Sequence, residues 1–152
     1  MFISTATNTL DAKGRLSVPA DFRAEVTGGI FDGIVIWPGV DGSYLEGGGV
    51  ALLQSYGAMI NDMDPFDEVR LAFEHTLFGA AKKLSFDATG RVTLPKELAE
   101  HAGLSASATF VGLGSRFQIW DKDTYEAHLA KAQELAKASR HLMRPRRSGG
   151  DT

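Results

Sequence analysis

A nine-residue segment occurs twice in this chain, and the repeat limits the possible folds more than any other feature of the sequence. Residues 11–19 read Asp-Ala-Lys-Gly-Arg-Leu-Ser-Val-Pro, and residues 87–95, which begin 76 positions later, read Asp-Ala-Thr-Gly-Arg-Val-Thr-Leu-Pro. Each copy leads into a short helical pattern that ends at a glycine, and two short apolar strand candidates follow each helix. Because the same order of elements occurs twice, the sequence predicts a duplicated module.

The residue types within each copy are those of a tight hairpin turn. Asp11 and Asp87 favour the first turn position, because an aspartate carboxylate can accept a hydrogen bond from the backbone N–H two residues on. Gly14 and Gly90 stand where a three- or four-residue loop requires a left-handed residue. The proline that closes each copy suits the first turn of a helix. Each module is therefore predicted to run strand, turn, strand, short helix and two further strands.

Two helical patterns separate the modules, and a third follows them. Gly47–Gly49 predicts a flexible break, after which apolar residues recur at helical intervals over Val50–Met59. Asp64 before Pro65 predicts the start of a second helix, because aspartate caps helices and proline suits their first turn. The apolar face of that helix would hold Phe66, Val69, Phe73 and Leu77. Residues 123–126 form a capping-box pattern that opens the final helix.

These patterns divide the chain into five predicted segments. They are a first module over residues 5–51, a helical connector over 52–80, a second module over 81–124, a C-terminal helix over 125–143 and a basic disordered tail over 144–152. The tail follows from the arginine-rich stretch Arg140 to Arg147 and the short polar end after it.

The composition excludes several classes of protein. The chain has 152 residues, 43% of them apolar, which is enough to bury a core as one domain or as two very small ones. It has no cysteine, so disulfides, thiolate zinc sites, iron–sulfur clusters and a cysteine nucleophile are excluded. No apolar run approaches the ~20 residues that cross a bilayer, and the N-terminus lacks the features of a secretion signal. We therefore expect a soluble, cytoplasmic protein with no membrane partner.

Charge is unevenly distributed along the chain. The formal net charge is −3. Residues 32–79 carry one base against eight acids, whereas residues 131–152 carry six bases against two acids. A nucleic-acid-binding domain is usually basic overall, and this chain is not. Any surface that binds DNA must therefore be local.

Catalysis is disfavoured by the motifs. The chain contains no Walker A, G-x-S-x-G or H-E-x-x-H motif, and its four histidines are scattered. Asp11 and Asp87 could meet across a pseudo-twofold axis as a dyad that shares one proton. However, the motif here is D-A-x-G rather than D-[ST]-G, and the turn role accounts for both aspartates. We predict a protein that is not an enzyme and uses no cofactor, metal or small-molecule substrate.

The arginine after each turn glycine has two interpretations. Arg15 or Arg91 could simply pair with an acidic neighbour or with the aspartate of its own turn, and this structural role is favoured for Arg91. Alternatively, a rigid two-stranded ribbon presents Lys13 and Arg15 to the major groove, where arginine can bind guanine O6 and N7 with two hydrogen bonds. Thr89 takes the place of Lys13 in the second copy, which would then bind DNA more weakly.

Taken together, four stretches of the sequence resemble the MraZ family of bacterial transcriptional regulators, which are built from two SpoVT/AbrB-type modules. The resemblance covers the chain from Met1 to about Tyr125, with both motifs at the spacing of the family. The stretches are Asp11–Pro19, Asp87–Pro95, Leu94–Leu104 and Val111–Trp120.

The resemblance implies a fold, an assembly and a target. The fold would be mainly β with peripheral helices (α+β), in which tandem AbrB-like swapped-hairpin modules form one intramolecular pseudo-dimeric β-barrel. The chain would form a ring-shaped homo-oligomer, associate with the nucleoid and bind double-stranded DNA at short direct repeats in the promoter of its own gene. That gene would stand at the head of the division and cell-wall cluster, and the protein would repress it.

The resemblance also implies roles for individual residues. In the family the first D-x-K-G-R motif contacts DNA, so this role maps onto Lys13 and Arg15, with Arg23 as a further contact to the DNA backbone. The second motif has a structural role, which suits Arg91. The alternative function is a non-catalytic ring scaffold, or a module that binds a protein partner, in which Lys13 and Arg15 have no obvious task. The tail at 140–147 is interpreted as a solvated end, with contact to DNA as the alternative.

Overall fold

The computed structural model describes residues 1–146, so the part of the predicted tail over 147–152 lies outside the described residues. The strands are β1 (Thr5–Thr9), β2 (Arg15–Ser17), β3 (Gly33–Pro38), β4 (Leu45–Gly48), β5 (Lys82–Ser85), β6 (Arg91–Thr93), β7 (Ser107–Gly112) and β8 (Phe117–Trp120). The α-helices are α1 (Ala20–Val26), α2 (Val50–Asn61), α3 (Glu68–Phe73), α4 (Lys96–His101) and α5 (Lys122–Ala138). A π-helical turn covers Glu74–Phe78 and a 3-10 turn covers Arg140–Leu142.

The two halves of the chain exchange strands. The larger sheet has six strands in the order β1-β7-β8-β4-β3-β5, and every adjacent pair in it is antiparallel. Exchanging the modules turns this order into its own reverse, because β1, β7 and β8 of one end correspond to β5, β3 and β4 of the other. The first strand of each module therefore pairs with the other module, as a swapped hairpin requires.

The second strands of the two modules form a small sheet of their own. β2 pairs with β6, with Arg15 opposite Thr93 and Ser17 opposite Arg91. The turn glycines extend this pairing at both ends: the Leu94 N–H donates to the Gly14 carbonyl (2.7 Å), and the Val18 N–H donates to the Gly90 carbonyl (3.2 Å). The first turn (residues 11–15) and the second turn (residues 87–91) therefore lie at opposite ends of this sheet.

The predicted α+β class is confirmed, although helices hold 38% of the residues and strands 26%, so the fold is mixed rather than mainly β. The predicted barrel is wrong in one respect, because the six-stranded sheet is open and ends at β1 and β5. The physical reason is that β2 and β6 pair with each other instead of joining β1 to β5. The predicted two-stranded ribbon is likewise reduced to a single bridge, between Leu10 and Leu16.

Side chains from both modules share the core. Alternate residues of β3 enter different clusters: Ile34 and Ile36 lie in the main core, whereas Val35 and Trp37 pack with a second cluster under α2 and the π-helical turn. All four side chains are buried, which explains why this strand shows no alternation of apolar and polar residues. The main core contains a set of aromatic rings in edge-on or tilted contact, namely Phe2, Phe22, Phe110 and Phe117.

Two residues of the glycine run belong to a strand and the third, Gly49, caps α2, so the run is not the flexible break predicted from its composition. Gly47 and Gly48 belong to β4 and are buried between β3 and β8. A Cβ atom on Gly47 would lie 2.7 Å from both the Val35 carbonyl oxygen and the Ile36 Cγ2 atom. The absence of a side chain here is therefore a packing requirement of the sheet.

The connector differs from its prediction at the second helix. The first helix agrees, since α2 covers Val50–Asn61. The residue that caps α3 is Asp67, whose carboxylate accepts from the Val69 N–H (2.9 Å), whereas Asp64 closes a turn by accepting from the Phe66 N–H (3.0 Å). Phe66 consequently precedes the helix and is 93% exposed.

The described residues separate into two compact units. The first covers Met1–Lys122 and holds all eight strands; the second begins at Asp123 and holds nearly all of α5. α5 has no buried residue. Within residues 1–146, no helix has the length and hydropathy that crossing a bilayer would require.

Replacing Gly47 tests the close packing of β4. Gly47→Ala places a methyl group within 2.7 Å of the β3 backbone, so we expect a loss of about 1–3 kcal/mol in the free energy of unfolding, measured by urea denaturation. Gly29→Ala is the matched control, because its Cβ would meet only the Val26 carbonyl at 3.7 Å, and it should leave stability within about 0.5 kcal/mol of the wild type. Equal stability of the two variants would contradict this account of the strand.

Candidate functional site

The carboxylate of Asp11 organises the first turn. Its Oδ1 accepts hydrogen bonds from the N–H groups of Lys13 (2.9 Å) and Arg15 (2.8 Å), and its Oδ2 accepts from Arg15 Nε (2.6 Å). The Asp11 carbonyl also accepts from the Gly14 N–H (3.0 Å), and Gly14 adopts a left-handed φ of 82°. The turn predicted from the residue types is therefore present, and one side chain holds both its backbone and its arginine.

The second turn repeats this geometry with one addition. Asp87 accepts from the N–H groups of Thr89 and Arg91 and from Arg91 Nε, each at 2.9 Å, and Gly90 has a φ of 81°. The hydroxyl of Thr89 also donates to Asp87 (2.9 Å). At the matching position of the first turn, Lys13 has an exposed side chain instead. The two turns share a backbone and differ in the charge they present.

Both aspartates are held in their ionised form. Backbone hydrogen bonds, above all from the N–H of Arg15, lower the pKa of Asp11 below its ordinary value. The N–H of Arg91 does the same for the pKa of Asp87, and the Thr89 hydroxyl adds to the effect. The carboxylates lie at opposite ends of the β2–β6 sheet, each bonded to its own turn, so the structure does not bring them together as the dyad considered above.

The guanidinium of Arg15 uses one nitrogen for a bond within the chain and leaves two for an external partner. Its Nε contacts Asp11, and no residue in the described part of the chain accepts a hydrogen bond from its two terminal nitrogens. Its side chain is 39% exposed. A half-exposed guanidinium whose stem is held by a carboxylate can offer two parallel donors to an external acceptor at little entropic cost.

Arg23 lies at the second turn, not the first. Its Nη1 donates to the Val18 carbonyl (2.6 Å), and a Cβ on Gly90 would fall 2.6 Å from its Cζ. Sequence reasoning placed Arg23 with Lys13 and Arg15 as a contact to DNA, but the structure separates it from them by the length of the β2–β6 sheet. It covers the backbone of the second turn.

Lys96 is a neighbour of the first turn that sequence reasoning missed. It lines the same cleft as Lys13, because β6 brings the start of α4 beside the Gly14 end of β2. Its ammonium lies 3.9 Å from the Glu100 carboxylate, and both side chains are largely exposed, so this pair contributes little to stability. The proximity could have been inferred only by pairing the two copies of the repeat in antiparallel register.

The described residues contain no group of three or more His, Asp or Glu side chains placed to hold a metal ion. Glu46 is a largely buried carboxylate that lines a cleft, and its Oε1 forms an ion pair with Arg116 Nε. Burial raises the pKa of Glu46, against the opposing effect of the Arg116 charge. Glu46 lies in the central strand β4 and Arg116 directly precedes β8, so this pair does not belong to either turn.

Comparison with known proteins points to a single family. Residues 77–144 match the family model described as "MraZ protein, putative antitoxin-like". The chain is 44% identical to the transcriptional regulator MraZ of Phenylobacterium zucineum over 137 residues, which is 90% of this chain and 85% of that protein. It is 44% identical to that of Caulobacter vibrioides (90% and 87% covered). It is 40% identical to that of Rickettsia akari over 144 residues (95% and 97% covered).

The aspartate bonds predict how stability depends on pH. Because the pKa values of Asp11 and Asp87 are lower in the folded state than the ordinary value of 3.8, their stabilisation is complete above that value and is lost as pH falls through the folded pKa values. We expect the Tm of the wild type to fall more steeply from about pH 5 to pH 2 than that of the Asp11→Asn, Asp87→Asn double variant. The double variant should also have a lower Tm at pH 7. Parallel curves would show that these carboxylates do not carry the effect.

Proposed function

The chain belongs to the MraZ family of transcriptional regulators, and from that premise we propose that it binds promoter DNA through its first turn. The observation that carries the proposal is the difference between two otherwise matching turns. Both turns present a half-exposed arginine, Arg15 or Arg91. The first turn adds an exposed Lys13, whereas the second has a neutral Thr89 whose hydroxyl is already bonded to Asp87.

The first turn has the chemistry that base recognition requires. Arg15, held at Nε by Asp11, would present its terminal nitrogens to guanine O6 and N7 in the major groove. Lys13 would neutralise a phosphate, and Lys96 at the rim of the same cleft is a second candidate for such a contact. Arg23 is better supported as a structural residue of the second turn than as a contact to DNA. Arg91 keeps the structural role predicted for it.

One protomer offers too few cations for strong binding at physiological salt. About two to three phosphate contacts give a salt slope of only about −2 to −3, so useful affinity requires several protomers on one DNA molecule. We propose a ring-shaped homo-oligomer whose first turns engage short direct repeats. The acidic segment over residues 62–68 would face away from the DNA.

An exposed apolar surface supports self-association. The α3 surface, defined as Val69 and Phe73, lies on one face of the helix because these residues are four positions apart, and their side chains are 52% and 41% exposed. Beside it lies a cleft of about 340 Å³ lined by Trp37, Tyr56 and the same Phe73. Adjacent exposed apolar side chains of this size mark interaction sites on soluble proteins. A second copy of the chain is the occupant we propose.

The biological setting follows from the family resemblance. We propose that the protein acts in the cytoplasm, at the nucleoid, as a repressor of its own gene at the head of the division and cell-wall cluster. We also propose that it has no catalytic activity and needs no cofactor. The hydrogen bonds that occupy both turn carboxylates, and the lowered pKa of each, support this view because neither group is poised to exchange a proton.

Arg15→Ala should weaken binding to the upstream region of the protein's own gene by about 5- to 150-fold, as the loss of one paired contact to guanine predicts. Lys13→Ala should weaken binding to all sequences and reduce the log–log salt slope by about 1. Fluorescence anisotropy on that region and on scrambled DNA, from low to physiological salt, measures both effects.

Arg91→Ala is the matched control for Arg15→Ala, because it breaks the same ion pair at the second turn. Arg91→Ala should bind DNA like the wild type, and its Tm should be close to that of Arg15→Ala. An equal loss of DNA affinity in Arg15→Ala and Arg91→Ala would contradict the proposal that the first turn binds DNA. Wild-type binding by the Lys13→Ala, Arg15→Ala double variant, or binding that ignores sequence, would favour the scaffold alternative.

Charge on the α3 surface should disrupt the assembly. Val69→Asp with Phe73→Asp introduces two carboxylates into an apolar contact, so light scattering should show a mass reduced towards that of one chain. The salt slope of DNA binding should fall with it. Ile30→Asp is the control, since Ile30 is 98% exposed but lies outside this surface, and it should leave the mass unchanged. An unchanged mass for the double variant would place the interface elsewhere.

A further inference from the structure

The internal repeat relates the surroundings of the two turns position by position. Residues 76 apart correspond, so Val18 matches Leu94, and the helix residue Arg23 matches Ala99. The backbone follows this correspondence, because Val18 N–H donates to Gly90 and Leu94 N–H donates to Gly14. The two sites therefore have the same framework and can be compared directly.

At the second turn a guanidinium completes the framework. Arg23 Nη1 donates to the Val18 carbonyl at 2.6 Å, and the guanidinium lies so close to Gly90 that a Cβ there would meet its Cζ, Nε and Nη1 atoms at 2.6–2.7 Å. Arg23 is half-buried in this position. The site thus accommodates a planar cation between a backbone carbonyl and a glycine without a side chain.

At the first turn the same framework borders an open cleft. Ala99 ends at its Cβ, and a cleft of about 570 Å³ lies between the turn and the β6–α4 segment, lined among others by Gly14, Leu94 and Ala99. Leu94 is 3% exposed, and no donor in residues 1–146 makes a hydrogen bond to its carbonyl oxygen. A buried carbonyl without a donor is rare and costs free energy.

We propose that this cleft binds a guanidinium group that does not belong to the same chain. The Leu94 carbonyl would accept from it as the Val18 carbonyl does from Arg23, and Gly14 would allow its close approach as Gly90 does. Glu100, where the second site has Ala24, adds a carboxylate at the rim. Its pairing with Lys96 at 3.9 Å is exposed and easily exchanged.

The alternative ligand is an anion. Exposed Lys13 and Lys96 line the cleft and would attract an anion. Leu94, however, is a buried lining residue whose carbonyl oxygen has no donor within residues 1–146, and a carbonyl oxygen repels an anion. The interior therefore favours a donor-rich planar cation. The guanidinium could come from an arginine of a second copy of this chain or from a small free compound, and the two sources share the same chemistry.

The test uses the full chain with ethylguanidinium as the probe and ethylammonium, at equal concentration and ionic strength, as the control cation. We expect a saturable rise in the Tm of the wild type with ethylguanidinium only. Ala99→Arg supplies the group within the chain, so its Tm should exceed that of the wild type by roughly 3–8 °C and should no longer respond to the probe. Arg23→Ala opens the second site, so its Tm should fall and should be partly restored by the probe.

Three results would overturn the proposal. The first is a wild-type Tm that does not respond to ethylguanidinium. The second is an equal rise in Tm with ethylammonium, or with inorganic phosphate added as a control anion. The third is a response to ethylguanidinium in Ala99→Arg as large as that of the wild type. If Arg23→Ala does not fold, the comparison between wild type and Ala99→Arg still decides. A response that weakens as protein concentration rises identifies a second copy as the source, and a response independent of concentration identifies a small compound.

Discussion

Each half of the chain satisfies the backbone hydrogen bonds of the other. β1 pairs with β7, β5 with β3 and β2 with β6, so neither hairpin is closed by its own module. Backbone N–H and C=O groups that are buried without a partner lower the stability of the folded state by more than a single hydrogen bond adds to it. The fold therefore exists only when both modules are present, and the two turns are positioned by strand pairings that join residues 46 to 106 positions apart.

That exchange also explains how a symmetric framework carries asymmetric chemistry. Each turn is closed by an aspartate that bonds two backbone N–H groups and one arginine Nε. Because these bonds hold the backbone in both copies, the side chains around them are free to differ. Lys13 in the first turn corresponds to Thr89 in the second, and Arg23 corresponds to Ala99. The first turn consequently carries an exposed Lys13 beside an open cleft. The second turn carries the neutral Thr89, and Arg23 occupies the space beside Gly90.

Local features of the sequence were sufficient to predict the turns and most helices, because aspartate, glycine and proline act within a few residues of themselves, whereas the α+β class was predicted from the family resemblance. They were insufficient wherever the deciding partner is remote. Arg23 is held at a turn 67 positions further along, and Gly47 is glycine because two neighbouring strands leave no room for a Cβ. The composition of Gly47–Gly49 indicates flexibility, and only the β3–β4–β8 pairing shows that Gly47 and Gly48 are buried in a strand.

The two outer strands of the open sheet have a consequence for how copies of the chain can meet. β1 reads Thr-Ala-Thr-Asn-Thr, and β5 begins with two exposed lysines, Lys82 and Lys83. Polar and lysine-rich edges resist the addition of a further strand, which is the usual route to continuous fibres. Any association between copies of this chain would then use side-chain contacts rather than a shared backbone ladder. Side-chain contacts can form and dissociate without unfolding the subunits, so an assembly held by them would be reversible.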